Sequence, residues 1–434
     1  MAYLFYLKQT ARTVALEAIR RVTDEGAYST IVVPGALKRS RLDERDRAFA
    51  TELAFGTIRR LPSIDWALGR VASRPVVRMS PSARTVLRLG AYQVLFTDVA
   101  SHAAVGETVG LARDQERGFV NAVLRRLASE PPSWPVGDDA ADVAVRTGLS
   151  AWAVQELERL LPSDEVEPAA RTLATKAMLC VRTNTVVTSP ERFEGALREA
   201  GHEPRPARLD PTCFLLDGGD PARLPGFDEG WFAVQDQASA FVVRALDPQP
   251  GNRVLDACAA PGGKTAYAAA IVGRRGLVVG ADLHAGRVGL ISRGARRLGV
   301  PALVLAQDAT APALKGSFDR VLIDAPCSGL GSARRRPELL WRNNKLELSK
   351  LARMQVEIVS ALTDLLAPGG RIVYSVCTFP RAEIDAAADA IVRHRPDLEP
   401  AMIEGPDGSA CRIRLWPHRH GSDGMFIAAF TKNG

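Results

Sequence analysis

The stretch of sequence that decides the fold runs from Val254 to Thr265 and reads VLDACAAPGGKT. Its short apolar strand, Val254–Leu255, leads into a loop with two adjacent glycines, and a helix is predicted to begin there. Because glycine has no side chain, backbone amides at such a turn can approach a ligand at the helix N-terminus. The stretch is therefore typical of a nucleotide-type binding turn in an α/β domain.

Further apolar strands alternate with helical segments after this loop, at Leu277–Gly280, Leu303–Leu305, Val321–Ile323 and Ile372–Tyr374. This alternation predicts a doubly wound parallel sheet. Such sheets bind ligands beyond the carboxyl ends of their strands, so the residues that follow each strand are where chemistry is expected.

Two common nucleotide-binding classes fit the loop poorly. A Walker A loop would need glycine where Cys258 stands, and the dinucleotide fingerprint G-x-G-x-x-G is absent. Asp282 ends the next strand, and its carboxylate suits hydrogen bonds from both hydroxyls of a ribose. A single such acid is typical of an ordinary loop. The evidence for a cofactor site is that acids follow consecutive strands of the sheet.

Two thiols and a carboxylate follow two later strands. Asp324-Ala-Pro-Cys327 comes after one strand, and Cys377 comes after another. Because the carboxyl ends of parallel strands share one edge of a sheet, we expect these groups to converge. A thiolate suits methylation at carbon-5 of cytosine, since that carbon becomes nucleophilic only after covalent addition at carbon-6.

Both motifs resemble those of the RNA cytosine-5 methyltransferases. The resemblance implies S-adenosylmethionine (SAM) as cofactor, with Asp282 at its ribose and Asp308 near its adenine amino group. The implied cofactor-binding residues are Cys258, Ala259, Ala260, Pro261, Gly262, Gly263, Lys264, Asp282, Asp308 and Asp324.

The same resemblance implies the catalytic roles. Cys377 is expected to be the nucleophile and Cys327 to assist product release. Asp324 is expected to hydrogen-bond N3 of the cytosine, with Lys264 assisting electrostatically. The family often has threonine before the nucleophile and serine after it, whereas this chain has Val376 and Thr378 there, which puts the local hydrogen bonding in doubt.

The front of the chain has a helical pattern. Apolar residues recur at i, i+3, i+4 and i+7 in two places: Ala15, Ala18, Ile19 and Val22, then Val120, Val123, Leu124 and Leu127. The proline-rich stretch Pro131–Asp139 cannot continue a helix and predicts a linker. Strand-like runs at Met178–Arg182 and Cys213–Leu216 predict a small α+β adaptor before the catalytic fold.

We therefore predict a multi-domain protein with a helical domain over 1–135, an α+β adaptor over 140–246 and a Rossmann-like methyltransferase domain over 247–434. Gly118–Arg126 resembles the NusB-like helical domain at the front of the Sun/Fmu family, which methylates a cytosine of small-subunit ribosomal RNA. The resemblance extends to Val234–Ser239, Pro417–Gly421 and Asp423–Phe426.

The charge balance favours an anionic partner. The chain has 56 basic and 49 acidic residues, a formal charge of +7. The resemblance makes that partner 16S ribosomal RNA or an early small-subunit particle. Arg334-Arg335-Arg336 is interpreted either as a grip on phosphates near an extruded base or as a solvated loop.

Six cysteines without a C-x-x-C pair indicate reduced thiols in a cytoplasmic protein, and Cys180, Cys213 and Cys411 are interpreted as small buried residues. The pair His418-x-His420 lacks a third ligand, so no metal is expected. The apolar start Ala2–Leu7 is too short for a signal segment, and no run reaches membrane-spanning length. We expect a monomer with no membrane contact.

The residues leave alternatives open. The motifs encode the reaction and not the address, so transfer RNA or another ribosomal cytosine remains a rival substrate. An RNA-binding assembly or antitermination factor, with the methyltransferase fold as a passive platform, is a rival from another class. An N-methyltransferase is expected to have a polar Pro-Pro-aromatic loop where this chain has Ala325–Cys327.

Overall fold

The computed structural model of the protein describes residues 9–342 and 345–434. The apolar start at Ala2–Leu7 lies outside them. By compactness the chain divides into two units. The first, here the helical unit, takes its described residues from Met1–Thr175 and Ala333–Asn343, and the second, the catalytic unit, takes them from Lys176–Ser332 and Asn344–Gly434.

Helices and strands are numbered along the chain. The helices are α1 Ala11–Thr23, α2 Ser29–Arg39, α3 Glu44–Arg59, α4 Leu61–Val71, α5 Pro81–Phe96, α6 Ser101–Val109, α7 Asp114–Ser129, α8 Ala140–Thr147, α9 Ala151–Glu158, α10 Ser163–Leu173, α11 Pro190–Glu199, α12 Gln237–Leu246, α13 Gly263–Val272, α14 Ala285–Arg297, α15 Leu339–Arg342, α16 Lys345–Thr363, α17 Asp385–His394 and α18 Pro417–His420. The strands are β1 Leu179–Thr183, β2 Arg205–Pro206, β3 Cys213–Leu216, β4 Phe232–Val234, β5 Arg253–Asp256, β6 Leu277–Asp282, β7 Leu303–Ala306, β8 Phe318–Asp324, β9 Leu366–Val376, β10 Leu398–Pro400, β11 Ile403–Gly405, β12 Gly408–Ala410, β13 Arg412–Leu415 and β14 Met425–Lys432.

The helical unit contains α1–α10 and α15. The apolar residues that recur at helical spacing in α1 and α7 are all buried in its core, which confirms the helical prediction. The stretch Pro131–Asp139 forms neither helix nor strand. Trp134 within it stacks on Trp66, with ring centroids 5.5 Å apart, so this stretch packs on the helices.

Helices α8–α10 also belong to the helical unit, so the compact unit ends at Thr175, beyond the predicted linker. The division into three domains stays a prediction.

A late segment of the chain completes the helical unit. Trp341 donates from its indole N–H to the Ile58 carbonyl at 2.8 Å, and Arg342 donates to the Gly26 and Ala27 carbonyls at 3.0 Å each. The buried Glu338 accepts hydrogen bonds from the Ser29 N–H at 3.1 Å and the Ser29 hydroxyl at 2.6 Å. The segment therefore holds the N-terminus of α2, where orphan N–H groups need acceptors.

The catalytic unit begins with a small antiparallel sheet in the order β2-β3-β1-β4. Strands β1 and β3 lie at the two predicted strand-like runs. Helix α11 packs on this sheet through the buried Phe193 and Leu197. This region corresponds to the strand-bearing part of the predicted adaptor.

The main sheet has the order β10-β14-β9-β8-β5-β6-β7, with β13 paired to β14. Strands β5–β9 are parallel, as predicted. One edge of the sheet is antiparallel and lies outside the predicted strands: β14 is antiparallel to β9, and β10 and β13 are antiparallel to β14. The overall class is confirmed: a helical part precedes an α/β unit built on this sheet.

Candidate active site

The glycine loop lies where the sequence predicts, between β5 and α13. Gly262 has φ +106°, and a Cβ placed there would come within 2.8 Å of the Ile291 Cα. Only glycine combines that backbone conformation with so close an approach. The Ala260–Pro261 peptide bond is cis, and the Gly262 N–H donates to the Ala259 carbonyl at 2.7 Å.

Two acids that the sequence assigns to the cofactor end neighbouring strands. Asp282 accepts from the Ala260 N–H and the His284 N–H at 3.2 Å each, so it binds the glycine loop directly. Asp308 is exposed and accepts from the hydroxyl and N–H of Thr310 at 2.7 and 2.9 Å, which holds its pKa below the usual value. The structure therefore places Asp282 against the glycine loop, whereas Asp308 is exposed and bonded to Thr310.

Asp256, at the end of β5, was not assigned a role from the sequence. It is buried, its Oδ2 accepts from the Thr265 hydroxyl at 2.6 Å, and its Oδ1 has no partner among the described residues. Burial raises its pKa to about 6. A buried, unpaired carboxylate oxygen suits a cationic ligand group. The only sequence signal was its place at the carboxyl end of the first strand.

Asp324 is held on both sides. Its Oδ2 accepts from the Lys264 ammonium at 2.6 Å, and its Oδ1 accepts from the Ser375 hydroxyl at 3.0 Å. Burial opposes the charge on Lys264, but the neighbouring Asp324 outweighs it, so the pKa of Lys264 is raised. The predicted pair is thus a real ion pair in the catalytic unit.

Two serines support this ion pair and were missed. Ser375 lies on β9 two residues before Cys377, and Ser239 lies 3.4 Å from the Lys264 ammonium. Ser239 ends the stretch Val234–Ser239 and Ser375 directly precedes Val376, but a serine in a strand or a helix gives no signal of its partner.

The two predicted thiols meet. The sulfurs of Cys327 and Cys377 are 3.5 Å apart, and both residues are half-buried. The hydrogen bond to Cys377, together with burial, raises the pKa of Cys327 well above its usual value. Cys327 therefore keeps its proton and can donate it in a hydrogen bond to Cys377. Burial and nearby carboxylates likewise raise the pKa of Cys258, which suits a structural thiol.

The segments that carry the thiols are packed tightly. The Gly331 N–H donates to the Cys377 carbonyl at 2.9 Å, and a Cβ on Gly331 would lie 2.1 Å from the Gly424 carbonyl oxygen. Thr378, a departure from the family pattern, has its hydroxyl 2.6 Å from the Ser328 hydroxyl. The hydroxyl of the residue that follows Cys377 is therefore hydrogen-bonded in this chain.

Other sequence expectations have mixed outcomes. Arg334 is buried in the helical unit, where its carbonyl accepts from Arg59 at 3.3 Å, so it is not a solvated residue. Cys180 and Cys213 are buried as predicted, whereas Cys411 is only half-buried, with its sulfur 3.4 Å from that of Met402.

Residues 9–342 and 345–434 include both members of the His418-x-His420 pair. His420 is buried and bonds Asp407 at 2.9 Å. No group of three or more His, Cys, Asp or Glu in these ranges is placed to hold a metal ion. Within the same ranges, every helix is too short or too polar to cross a membrane.

The fold and the site together define a methyltransferase of the doubly wound α/β class. Residues 243–431 match the model of the 16S rRNA methyltransferase RsmB/F family, and residues 9–129 match that of the NusB family. The chain belongs to the RsmB/F methyltransferase family.

Similar proteins cover the whole chain. A putative methyltransferase of Mycobacterium tuberculosis is 38% identical, over 97% of this chain and 96% of its own length. A probable ribosomal RNA small subunit methyltransferase B of Bacillus subtilis is 31% identical, over 98% of this chain and 100% of its own length. The crystal structure of PH0851 has a TM-score of 0.80 at 24% identity and covers 98% of this chain and 100% of that one, which shows the shared fold.

The cofactor of this methyltransferase is SAM, and the residues present fit it. The unpaired Oδ1 of Asp256 suits the ammonium of its methionine part. The N-terminus of α13 suits its carboxylate. Asp282 suits the ribose hydroxyls, since its side chain ends at the same sheet edge.

Proposed function

We propose that this protein methylates carbon-5 of a cytosine in 16S ribosomal RNA through a covalent bond between Cys377 and carbon-6. The observation that carries the proposal is the pair of thiols 3.5 Å apart beside an Asp324–Lys264 ion pair. A nucleophile with a positioned charge beside it is what addition to a pyrimidine ring requires.

The choice of 16S ribosomal RNA as the substrate rests on the similar proteins and on the net charge of the chain. The Bacillus subtilis relative is named as a probable small-subunit ribosomal RNA methyltransferase, and the family model carries the same description. The net charge of +7 suits a polyanionic partner. Naked 16S RNA or an early small-subunit particle, in the cytoplasm, is the proposed substrate.

In the first step the Cys377 thiolate forms a bond with carbon-6, and the electrons of the C5=C6 double bond move toward carbon-5 and N3. The Cys327 S–H stabilises the thiolate before attack by donating a hydrogen bond to it. Asp324 holds N3 through a shared proton, and Lys264 keeps Asp324 in place. Ser375 fixes the other carboxylate oxygen.

Bound SAM supplies the methyl group that carbon-5 receives. A base then removes the proton from carbon-5, the ring double bond reforms, and the bond from carbon-6 to Cys377 breaks. The departing sulfur carries negative charge, and the S–H of Cys327 lies 3.5 Å away to stabilise it. Loss of Cys327 is therefore expected to slow release more than addition.

The test is methyl transfer from isotopically labelled SAM to unmodified 16S RNA, to early small-subunit particles and to transfer RNA, followed by nucleoside analysis. We expect 5-methylcytosine with wild type and with the matched control Cys411→Ala, and none with Cys377→Ala. Cys327→Ala is expected to accumulate a protein–RNA adduct that survives denaturant.

Three other outcomes would change the proposal. Transfer to transfer RNA alone would keep the chemistry and overturn the address. Product from Cys377→Ala would overturn the nucleophile. Labelled methyl on a cytosine nitrogen would overturn the site of transfer.

A further inference from the structure

A buried polar cluster lies behind the two thiols and is not used in the mechanism above. Its members are Glu383, Gln355 and Tyr374, which have no exposed surface, and Ser328 and Thr378, which are nearly buried. Buried polar groups are costly unless they are fully hydrogen-bonded, so their bonds show what they hold.

Glu383 binds the segment that follows Cys327. Its Oε1 accepts from the Ser328 N–H at 2.9 Å, and its Oε2 accepts from the Ser328 hydroxyl at 2.5 Å. Gln355, on α16, donates to the same Oε1 at 3.1 Å and to the Pro326 carbonyl at 2.8 Å. The residues on both sides of Cys327 are thus fixed by one carboxylate and one amide.

The second thiol is tied to the same carboxylate through Thr378. The Ser328 hydroxyl gives its one proton to Glu383, so the Thr378 hydroxyl must be the donor in the 2.6 Å bond between Ser328 and Thr378. Thr378 directly follows Cys377. Glu383 therefore orders a chain of hydrogen bonds that joins the residue after one thiol to the residue after the other.

Tyr374 contacts the main chain of Glu383 and the side chain of Gln355. The Tyr374 hydroxyl lies 2.8 Å from the Gln355 side-chain oxygen and 2.5 Å from the Glu383 carbonyl. Burial raises the pKa of Glu383, which is the cost of placing an acid there. An apolar residue would fill the space without this cost but could not accept from Ser328.

We propose that Glu383 is a positioning residue that sets the separation of Cys327 and Cys377 by anchoring the residue that follows each thiol. This inference rests on the proposed function for its catalytic meaning. Its geometric content, the distance between two sulfurs, can be measured without RNA or SAM.

The experiment oxidises the full-length protein with diamide at fixed pH. Each thiol loses one hydrogen atom, a bond forms between the sulfurs, and the azo group of diamide is reduced to a hydrazine. The linked peptides that carry Cys327 and Cys377 are quantified by mass spectrometry against time. Because the rate depends on how the two thiols are held, it reports their separation.

The variants are Glu383→Leu, which cannot accept a hydrogen bond, and Glu383→Gln, which keeps one acceptor. Thr378→Val removes only the link between the two segments. Glu338→Gln is the matched control, because Glu338 is equally buried and also binds a serine, but lies in the helical unit. Affinity for S-adenosylhomocysteine checks that each variant keeps its cofactor fold.

We expect cross-linking to slow about tenfold or more in Glu383→Leu and Thr378→Val, less in Glu383→Gln, and not in Glu338→Gln. Turnover of RNA is expected to fall in the same order with KM for RNA unchanged, which a merely structural loss would not produce.

Wild-type cross-linking in folded Glu383→Leu and Thr378→Val would overturn the inference, even if 5-methylcytosine forms as proposed. Product from Cys377→Ala would instead overturn the proposed nucleophile and leave the cross-linking result intact. The two failures are therefore distinguishable.

Discussion

Glu338 in the helical unit and Glu383 in the catalytic unit bind a serine in the same way. Each is fully buried, and each accepts the N–H and the hydroxyl of one serine, Ser29 and Ser328 respectively. The first closes the start of α2, where the N-cap residue Tyr28 makes no side-chain bond. The second holds the backbone beside a reactive thiol.

The same arrangement, a buried glutamate bound to a serine, stabilises a helix end in the helical unit and positions the backbone beside a thiol in the catalytic unit. At α2 the carboxylate satisfies one orphan N–H group of a helix, so removing the carboxylate is expected to increase local unfolding. Behind Cys327 the carboxylate of Glu383 fixes distances among reacting groups, so removing it is expected to lower turnover. Four predictions sharpen or break this contrast.

The largest expected effect is on turnover. Asp324→Asn removes the charge that Lys264 and Ser375 position, and we expect the rate constant of methyl transfer to fall by about 10²–10³ in a single-turnover assay. Asp65→Asn is the matched change in the helical unit, where Asp65 pairs with Arg88 at 2.6 Å. An equal loss of turnover in both variants would break the contrast between the units.

A smaller effect is expected in cofactor affinity against pH. Asp256 has a pKa of about 6 and must be ionised to pair with an ammonium group. Calorimetric affinity for S-adenosylhomocysteine is expected to rise roughly tenfold from pH 5 to pH 7. Asp256→Asn should flatten this dependence, and a slope that survives the substitution would assign it to another group.

Without ligand, the contribution of Asp256 to folding stability falls as pH rises, which is opposite to its effect on cofactor affinity. Because the pKa of Asp256 is raised on folding, the folded unit binds that proton more tightly than the unfolded chain. The stabilising contribution is complete below the unfolded value of about 4 and is lost as pH rises through about 6. Thermal unfolding of wild type against Asp256→Asn across this range checks it.

The smallest effect is expected at α2. Ser29→Ala removes the hydroxyl bond to Glu338 and should weaken the local structure by about 1 kcal/mol, which is roughly a fivefold rise in amide exchange over Ser29–Arg39. Hydrogen–deuterium exchange measures it, with peptides around Ser328 as the internal reference. Faster exchange around Ser328 in this variant would show that the Glu338–Ser29 and Glu383–Ser328 pairs are coupled.

Much of this site was predictable because its signals are local in sequence. The glycine loop and both thiol motifs each lie within about a dozen residues, and parallel strands bring their ends to one edge. Glu383 and Ser375 act on partners about 50 residues away. No spacing rule pairs an acid with a serine so far away along the chain, so these roles are visible only in the folded protein.

The fold divides in the same way. Periodicity located the helices, because their burial repeats every 3.6 residues, and short apolar runs located the parallel strands, which are buried on both faces. Neither pattern gave a sign that β14 runs antiparallel to β9, since strand direction depends on the connection and not on the strand. The placement of Glu338 in the helical unit was equally invisible.

The segment around Glu338 has a consequence for exchanging parts between proteins. The chain leaves the catalytic unit after Ser332, contributes to the helical unit, and returns. The helical unit is therefore not one continuous length of gene, and a fragment ending at Thr175 lacks the glutamate, indole and guanidinium that hold α2 and the α3 end. A freestanding helical relative grafted in its place would have to accept this foreign segment as well.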